Sequence, residues 1–193
     1  MLSDATSNLS LARASGNIRI VVTGVTGSGK TTLAQHLAKL FCVPHIELDA
    51  LYWGADWTPA SLDNFRRRVL AATGRAQWVV DGNYLASRDI TWTKATMVIW
   101  LDYSLPLILW RLLTRILKRS LGREVLWNGN QERFWTHFLS RESLFLWALQ
   151  THGKIRTDYP VIFRKVGYAH LKVVRFESPS ATRRWLDLCS LVS

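Results

Sequence analysis

The sequence predicts an α/β protein built on a parallel sheet wrapped by helices. Short β-branched apolar runs alternate with longer segments of helical periodicity from residue 18 onward, the pattern of successive strand, crossover and strand units. A glycine-rich turn joins the first such strand to the first such helix. The 193 residues suffice for one domain with a sizeable core.

Taken in order, residues 1–17 are rich in Ser, Asn and Ala and read as a flexible N-terminal tail, and 18–193 as a single domain. Ile18-Arg19-Ile20-Val21-Val22-Thr23 is the first buried strand, and 30–41 carries its apolar residues at helical spacing up to Pro44. Further strands are expected at 45–48, 77–81, 96–101 and 171–176. Helices are expected at 60–72, where Ser61 marks the start, and at 105–121, 131–150, about 157–167 and 179–189. Ser178-Pro179 supplies a cap and a first-turn proline to the last of these. There are no internal repeats.

Residues 24 to 31, Gly-Val-Thr-Gly-Ser-Gly-Lys-Thr, complete a G-x-x-x-x-G-K-[ST] phosphate-binding loop between that first strand and helix. Gly24, Gly27 and Gly29 allow backbone turns that side chains would block, so successive amides, those of Thr26 and Ser28 included, can point at phosphate oxygens. The helix that continues through Thr31 and Thr32 adds the positive end of its dipole. Lys30 would reach the β/γ-phosphates, and the Thr31 hydroxyl would ligate a magnesium ion bridging them. The lysine after the last glycine suits a triphosphate better than a dinucleotide.

Three strands finish in aspartate, at Asp49, Asp81 and Asp102. Ligands of such sheets bind at the strand ends, and an aspartate beside the phosphate loop can hold the magnesium ion. Asp81 or Asp102 could do this. Asp81 is favoured because Gly82 and Asn83 form a tight turn that leaves backbone accessible to a ligand, and Asp102 is assigned to capping the helix that follows.

The formal net charge of +11 admits either a general affinity for polyanions such as nucleic acid or a local set of arginines that clamp phosphates. Arg111, Arg115, Lys118, Arg119 and Arg123 fall within an arc of about 140° on one helix, opposite a leucine-rich side. Two cysteines, Cys42 and Cys189, exclude a disulfide scaffold and suit a reducing cytoplasm. The longest apolar region, 97–113, is broken by Asp102, Pro106 and Arg111, so no membrane partner is expected. Trp100, Trp110, Trp147 and Trp185 sit in apolar patterns and are assigned to the core, while Trp53 and Trp57 either stack on a ligand ring or simply pack. The five scattered histidines receive no role.

The phosphate loop, Leu48-Asp49-Ala50-Leu51-Tyr52-Trp53, Trp78-Val79-Val80-Asp81-Gly82-Asn83-Tyr84 and Ile99-Trp100-Leu101-Asp102, in this order, resemble the adenylate-kinase-related P-loop nucleotide and small-molecule kinases. The closest resemblance is to their topology modulation protein (FlaR-like) branch, and it covers nearly the whole chain after residue 17. It implies a three-layer P-loop NTPase fold, a nucleoside-monophosphate-kinase-like core with a five-stranded parallel sheet, and an arginine-bearing helical lid at about 119–133. By the same resemblance Asp49 and Trp53 belong to the acceptor pocket, Asp81 assists magnesium, Ser178 and Pro179 lie against the adenine of ATP, and Arg119 and Arg123 occupy the lid. One departure concerns the acceptor. Adenylate kinases hold its phosphate with an arginine at the position of Leu85, and Arg88, three residues on, is the substitute.

The expected activity is transfer of the γ-phosphoryl group of ATP, with Mg²⁺, to a nucleotide or small-metabolite acceptor. Lys30 neutralises the β/γ-oxygens, Arg119 and Arg123 close on the transferring group with Arg133 or Arg141 behind them, and Asp49 is the base if the acceptor is an alcohol. The other function class is an ATP-binding or hydrolysing regulatory protein that binds DNA through its basic helix. It is less favoured, because no helix-turn-helix or RNA-binding signature is visible. The expected state is a cytoplasmic monomer or homodimer.

Overall fold

The computed structural model describes residues 16–122 and 144–191. Five strands, β1 (Arg19–Gly24), β2 (His45–Glu47), β3 (Trp78–Asp81), β4 (Met97–Leu101) and β5 (Lys172–Phe176), pair in parallel in the order β2-β3-β1-β4-β5. Seven α-helices accompany them among the described residues: α1 (Lys30–Phe41), α2 (Leu48–Tyr52), α3 (Leu62–Ala72), α4 (Arg88–Lys94), α5 (Leu105–Gly122), α6 (Leu144–Phe163) and α7 (Pro179–Leu191).

β1 lies at the centre because it is buried on both faces. Ile20 and Val22 join one apolar layer and Val21 the other, as the two-residue period of a strand requires. Leu33 and Leu37 of α1, Ile108 and Leu112 of α5 and Trp185 of α7 complete the first layer. Phe65 and Val69 of α3, Trp92 of α4 and Tyr159 of α6 complete the second, so helices cover both sides of the sheet. Phe65 and Val69 sit four residues apart on one helical face and are fully buried, each contributing about 2 kcal/mol. Ser61 Oγ accepts from the Asn64 amide at 3.4 Å and opens α3, as its sequence signal requires.

The strand order changes direction at β1, with β3 and β2 on one side and β4 and β5 on the other. Such a reversal opens a crevice at the carboxyl ends of the central strands. The phosphate loop leaves β1 at that edge.

Several expectations are corrected. The helices expected at 131–150 and about 157–167 are one continuous helix over the described part, α6, which passes through Gly153 and Pro160. Core contacts of Ala148, Ile155 and Tyr159 anchor both halves, against costs of roughly 1 kcal/mol for an internal glycine and about 3 kcal/mol for an internal proline. The second strand stops at Glu47, so Asp49 sits in the first turn of α2. Trp110 and Trp147 are not core residues: they are 63 % and 58 % exposed, whereas Trp100 and Trp185 are buried. Of the expected lid, 119–122 belong to α5 without described side chains, and Arg123, Arg133 and Arg141 lie outside the described residues. No helix among the described residues is long and apolar enough to cross a membrane.

Candidate active site

The phosphate loop takes the strained backbone its glycines permit. Gly24 has φ +147°, and a Cβ there would stand 2.6 Å from the Leu101 carbonyl oxygen of β4. Gly27 has φ +80°, and a Cβ would meet Leu112 Cγ at 2.8 Å. Only glycine fits either position. Gly29, also left-handed, caps α1, and its carbonyl accepts the first helical hydrogen bond, from the Leu33 amide at 3.1 Å. Thr26 is half-buried and Thr32 exposed. Ser28 Oγ is buried without a hydrogen-bond partner among the described residues, which leaves a donor inside the loop for an incoming oxygen.

Asn83, reached from the end of β3, clamps the first glycine. Its Oδ1 accepts from the Gly24 amide at 3.2 Å and its Nδ2 donates to the Gly24 carbonyl, so the side chain imitates a neighbouring strand. Thr23 Oγ1 donates to the same Oδ1 at 2.5 Å, and the Tyr159 hydroxyl closes on Thr23 Oγ1 at 2.7 Å. Asn83 and Gly82 are thus placed beside the loop, with the asparagine side chain, rather than its backbone, making the contact.

Lys30 Nζ donates to the Val25 carbonyl at 3.2 Å. Burial pushes the pKa of its ammonium down, Asp49 and Asp81 push it back up, and Arg115 lowers it again. Two carboxylates, one in the first turn of α2 and one at the end of β3, therefore act on this one cation. Asp81 is buried; its Oδ2 accepts from Thr31 Oγ1 at 2.6 Å and its Oδ1 stands 2.8 Å from His45 Nε2. Asp49 Oδ1 accepts from the Tyr84 hydroxyl at 2.6 Å. Burial first, and the Asp49 charge second, raise the Tyr84 pKa, so this phenol is a donor at neutral pH.

Beside Asp49 the chain makes a tight turn in which Asp56 and Trp57 both have positive φ, at 52° and 54°. Trp53 meets Tyr52 edge-on at 4.9 Å and Trp57 at 5.9 Å, so the tryptophans of this turn pack on each other. Arg88, at the start of α4, holds its guanidinium 4.6 Å from the Trp92 ring centre and 5.4 Å from that of Tyr159. On α5, Arg111 Nη1 donates to the Ser28 carbonyl at 3.0 Å, which turns the near half of the basic helix toward the phosphate loop.

Asp102 departs from its expected role. Its carboxylate is 3 % exposed and, instead of capping α5, accepts from Arg156 Nε at 2.7 Å and from Arg175 Nε at 2.9 Å. A buried carboxylate needs cations more than a helix needs a cap, and α6 and β5 deliver both. Ser178 Oγ accepts from the Ala181 amide at 3.2 Å and caps α7, with Pro179 in the first turn, beyond the end of β5.

Two of these residues carried no usable sequence signal. His45 and Tyr159 meet the site only through tertiary packing, whereas Tyr84 closes the Asp-Gly-Asn-Tyr run and Arg111 lies on the basic helix face already read as a candidate phosphate clamp. Among the described residues no group of three or more His, Cys, Asp or Glu could by itself hold a metal. One carboxylate, one hydroxyl and the phosphates of a nucleotide form the donor set that magnesium takes.

No protein-family model matches the sequence, and no curated protein matches it. Solved structures do resemble it. A shikimate kinase from Acinetobacter baumannii in complex with shikimate superposes with a TM-score of 0.52 at 17 % identity, over 94 % of this chain and 96 % of that one. A shikimate kinase from Bacteroides thetaiotaomicron gives 0.52 at 15 %, over 88 % and 94 %. A gluconokinase from Sinorhizobium meliloti 1021 gives 0.50 at 18 %, over 91 % and 93 %. At these identities the likeness is one of fold alone: an α/β chain with a five-stranded parallel sheet that superposes on these kinases.

Proposed function

We propose that the protein is a P-loop kinase that transfers the γ-phosphoryl group of Mg-ATP to a hydroxyl of a small metabolite. The observation that carries this reading is the pair of carboxylates that act electrostatically on Lys30, Asp81 hydrogen-bonded to Thr31 and Asp49 hydrogen-bonded to Tyr84. Asp81 is on the metal side and Asp49 on the acceptor side. The names of the structural neighbours support the same class. The kinship to adenylate kinases, and to their topology modulation branch, remains part of this reading.

The loop fits a triphosphate: an unpartnered buried hydroxyl at Ser28, left-handed glycines and a lysine converge there. Thr31 and Asp81 would hold magnesium, which when bound neutralises charge on the β/γ-oxygens and orients them for in-line transfer. Lys30 adds its charge to the same oxygens. Asn83 keeps Gly24 in place and Arg111 anchors the Ser28 carbonyl, so the cradle needs little reorganisation. Asp49, aligned by the Tyr84 hydroxyl, orients the acceptor hydroxyl and takes its proton. A carboxylate at this point suits a hydroxyl and repels a phosphate acceptor, in keeping with Leu85, 73 % exposed, at the position where adenylate kinases carry an arginine. Trp53, Gly82, Asn83 and Arg88 border the acceptor, Ser178 and Pro179 the adenine. Arg119, Arg123, Arg133 and Arg141 are assigned to the closing lid.

Binding of nucleic acid by the basic helix is disfavoured by the Arg111 contact, which spends the near end of that helix on the phosphate loop. The test is ADP release from ATP and magnesium with a panel of hydroxylated metabolites and nucleoside monophosphates. Stimulation by a hydroxylated compound, lost in Lys30→Ala and reduced about a hundredfold or more in Asp49→Asn, is expected. Turnover that ignores every acceptor, or that survives Lys30→Ala, would overturn the reading.

A further inference from the structure

We propose that the edge of the sheet opposite the phosphate loop docks on an anionic lipid bilayer, with Val166 entering the headgroup layer and the lysines and arginines around it facing lipid phosphates and carboxylates. This surface lies away from the reaction proposed above, and its occupancy does not depend on that reaction.

In a parallel sheet every strand starts at the same edge, and the crossover helices end there. The segments that lead into the five strands, 16–19, 39–44, 73–77, 94–96 and 164–172, hold seven Lys or Arg and no Asp or Glu. Acidic residues gather at the other edge, with the phosphate loop: Asp81 and Asp102 where β3 and β4 finish, and Asp49, Asp63 and Asp89 in the first turns of α2, α3 and α4. The basic segments are tied to one another. Arg19 Nε donates to the Ala76 carbonyl at 2.9 Å, the Thr96 amide to the Arg19 carbonyl at 2.8 Å and the Lys172 amide to the Thr96 carbonyl at 3.2 Å. Tyr168 meets Trp92 of α4 edge-on at 5.6 Å, which sets the turn at 166–168 beside the end of that helix.

Helix dipoles account for part of this polarity. Cations are favoured at the carbonyl ends of helices, and Lys39 and Lys94 occupy the last turns of α1 and α4. The effect fades beyond the last turn and leaves Arg75, Lys165 and Lys172, all exposed and outside the helices, without an account. Nor does it explain Val166, 93 % exposed between Lys165 and Gly167, or Val161, 60 % exposed in the last turn of α6. Aliphatic side chains standing in water among cations suit an interfacial membrane contact, in which the charges are drawn to anionic headgroups and the side chains leave water. A nucleic acid offers the same charge without an apolar layer, and the ring that could stack on a base, Tyr168, is packed on Trp92 instead. No described helix is long and apolar enough to cross a bilayer, so the contact is peripheral, and the phosphate loop at the opposite edge stays open to solution.

The experiment mixes the full chain with vesicles of phosphatidylcholine, alone or with about one third phosphatidylserine, and measures the bound fraction by flotation. Wild type should bind the anionic vesicles at least about tenfold more tightly than the neutral ones, and less as salt is raised. Arg164→Gln with Lys165→Gln should weaken this binding about 25-fold, about fivefold for each charge. Val166→Ser should weaken it about threefold or more. Arg183→Gln with Arg184→Gln removes the same charge from α7, on the other side of the sheet, and should cost less than about twofold.

Thermal unfolding establishes that each variant is folded; if the first double variant is not, Arg75→Gln, on a separate loop of the same edge, takes its place. Equal binding to both kinds of vesicle, binding to neither, or equal losses in the two double variants would overturn the proposal. Retention on duplex DNA at a salt concentration where anionic vesicles are not bound would also overturn it, and would assign the face to nucleic acid.

Discussion

The Thr31 hydroxyl, at the start of α1, donates a 2.6 Å hydrogen bond to Oδ2 of Asp81, at the end of β3, and His45 Nε2 lies 2.8 Å from the other oxygen of the same carboxylate. Helix, central strand pair and β2 are thereby tied at one acidic group. The two contacts fix the orientation of the Asp81 carboxylate.

The proposed magnesium role of Thr31 and Asp81 predicts a magnesium-linked nucleotide affinity. Thr31→Val and Asp81→Asn should each weaken ATP binding about tenfold or more in the presence of magnesium, and much less in a chelator. His45→Ala, which frees one carboxylate oxygen, should act in the same direction more mildly. Calorimetric titration with and without magnesium checks this, and equal losses under both conditions would remove the metal assignment.

Asn83 is expected to matter through the loop it holds. Asn83→Ala leaves the Gly24 amide and carbonyl without their partner and should lower folding stability by about 1–3 kcal/mol and raise the KM for ATP. Asn83→Asp keeps the acceptor and loses the donor, so it should fall between. Urea unfolding and ATP titration of the three proteins would show this ordering; an unchanged KM for ATP in both variants would remove Asn83 from the site.

The Asp102 network joins α6 and β5 to the end of β4. Arg156 and Arg175 remain 42 % and 44 % exposed, so solvent screens both when the carboxylate is removed. Asp102→Ala should therefore cost about 1–2 kcal/mol, less than the loss of a fully buried pair. A double-mutant cycle with Arg156→Ala measures the coupling, and additive effects would show that the contact contributes no stability.

Cys189 predicts a difference in thiol chemistry and an alkaline loss of stability. Cys42 is exposed, whereas Cys189 is buried and its thiol is pushed up to about 12 by desolvation. One thiol should react with a colorimetric reagent in native protein and two in denaturant. Because burial holds the folded thiol's pKa, about 12, above that of an exposed thiol, the folded chain keeps a proton that the unfolded chain releases. Stability from this group is full below pH about 9 and is lost as pH rises toward about 12. Cys189→Val should flatten the fall in urea midpoint across that window; parallel curves would refute the assignment.

The strands and the phosphate loop were legible because their signals are local. Six consecutive residues carry the β1 pattern, eight carry the loop, and the glycine positions follow from backbone sterics alone. Helix ends at Ser61 and Ser178 were legible for the same reason, since a cap bonds two or three residues ahead. Asp102 was misread by the same logic, because a local cap was assigned where two distant arginines compete for the carboxylate. Trp110 and Trp147 were misread because an apolar neighbourhood in sequence does not say which way a helix faces.

The chain by itself thus determined an alternating α/β order and a phosphate loop, both products of short-range sterics and periodicity. Only the tertiary structure decided which side chains share the site. Tyr159 reaches Thr23 across 136 residues and His45 reaches Asp81 across 36, distances over which a sequence carries no pairing code and only the packing of sheet and helices brings the partners together.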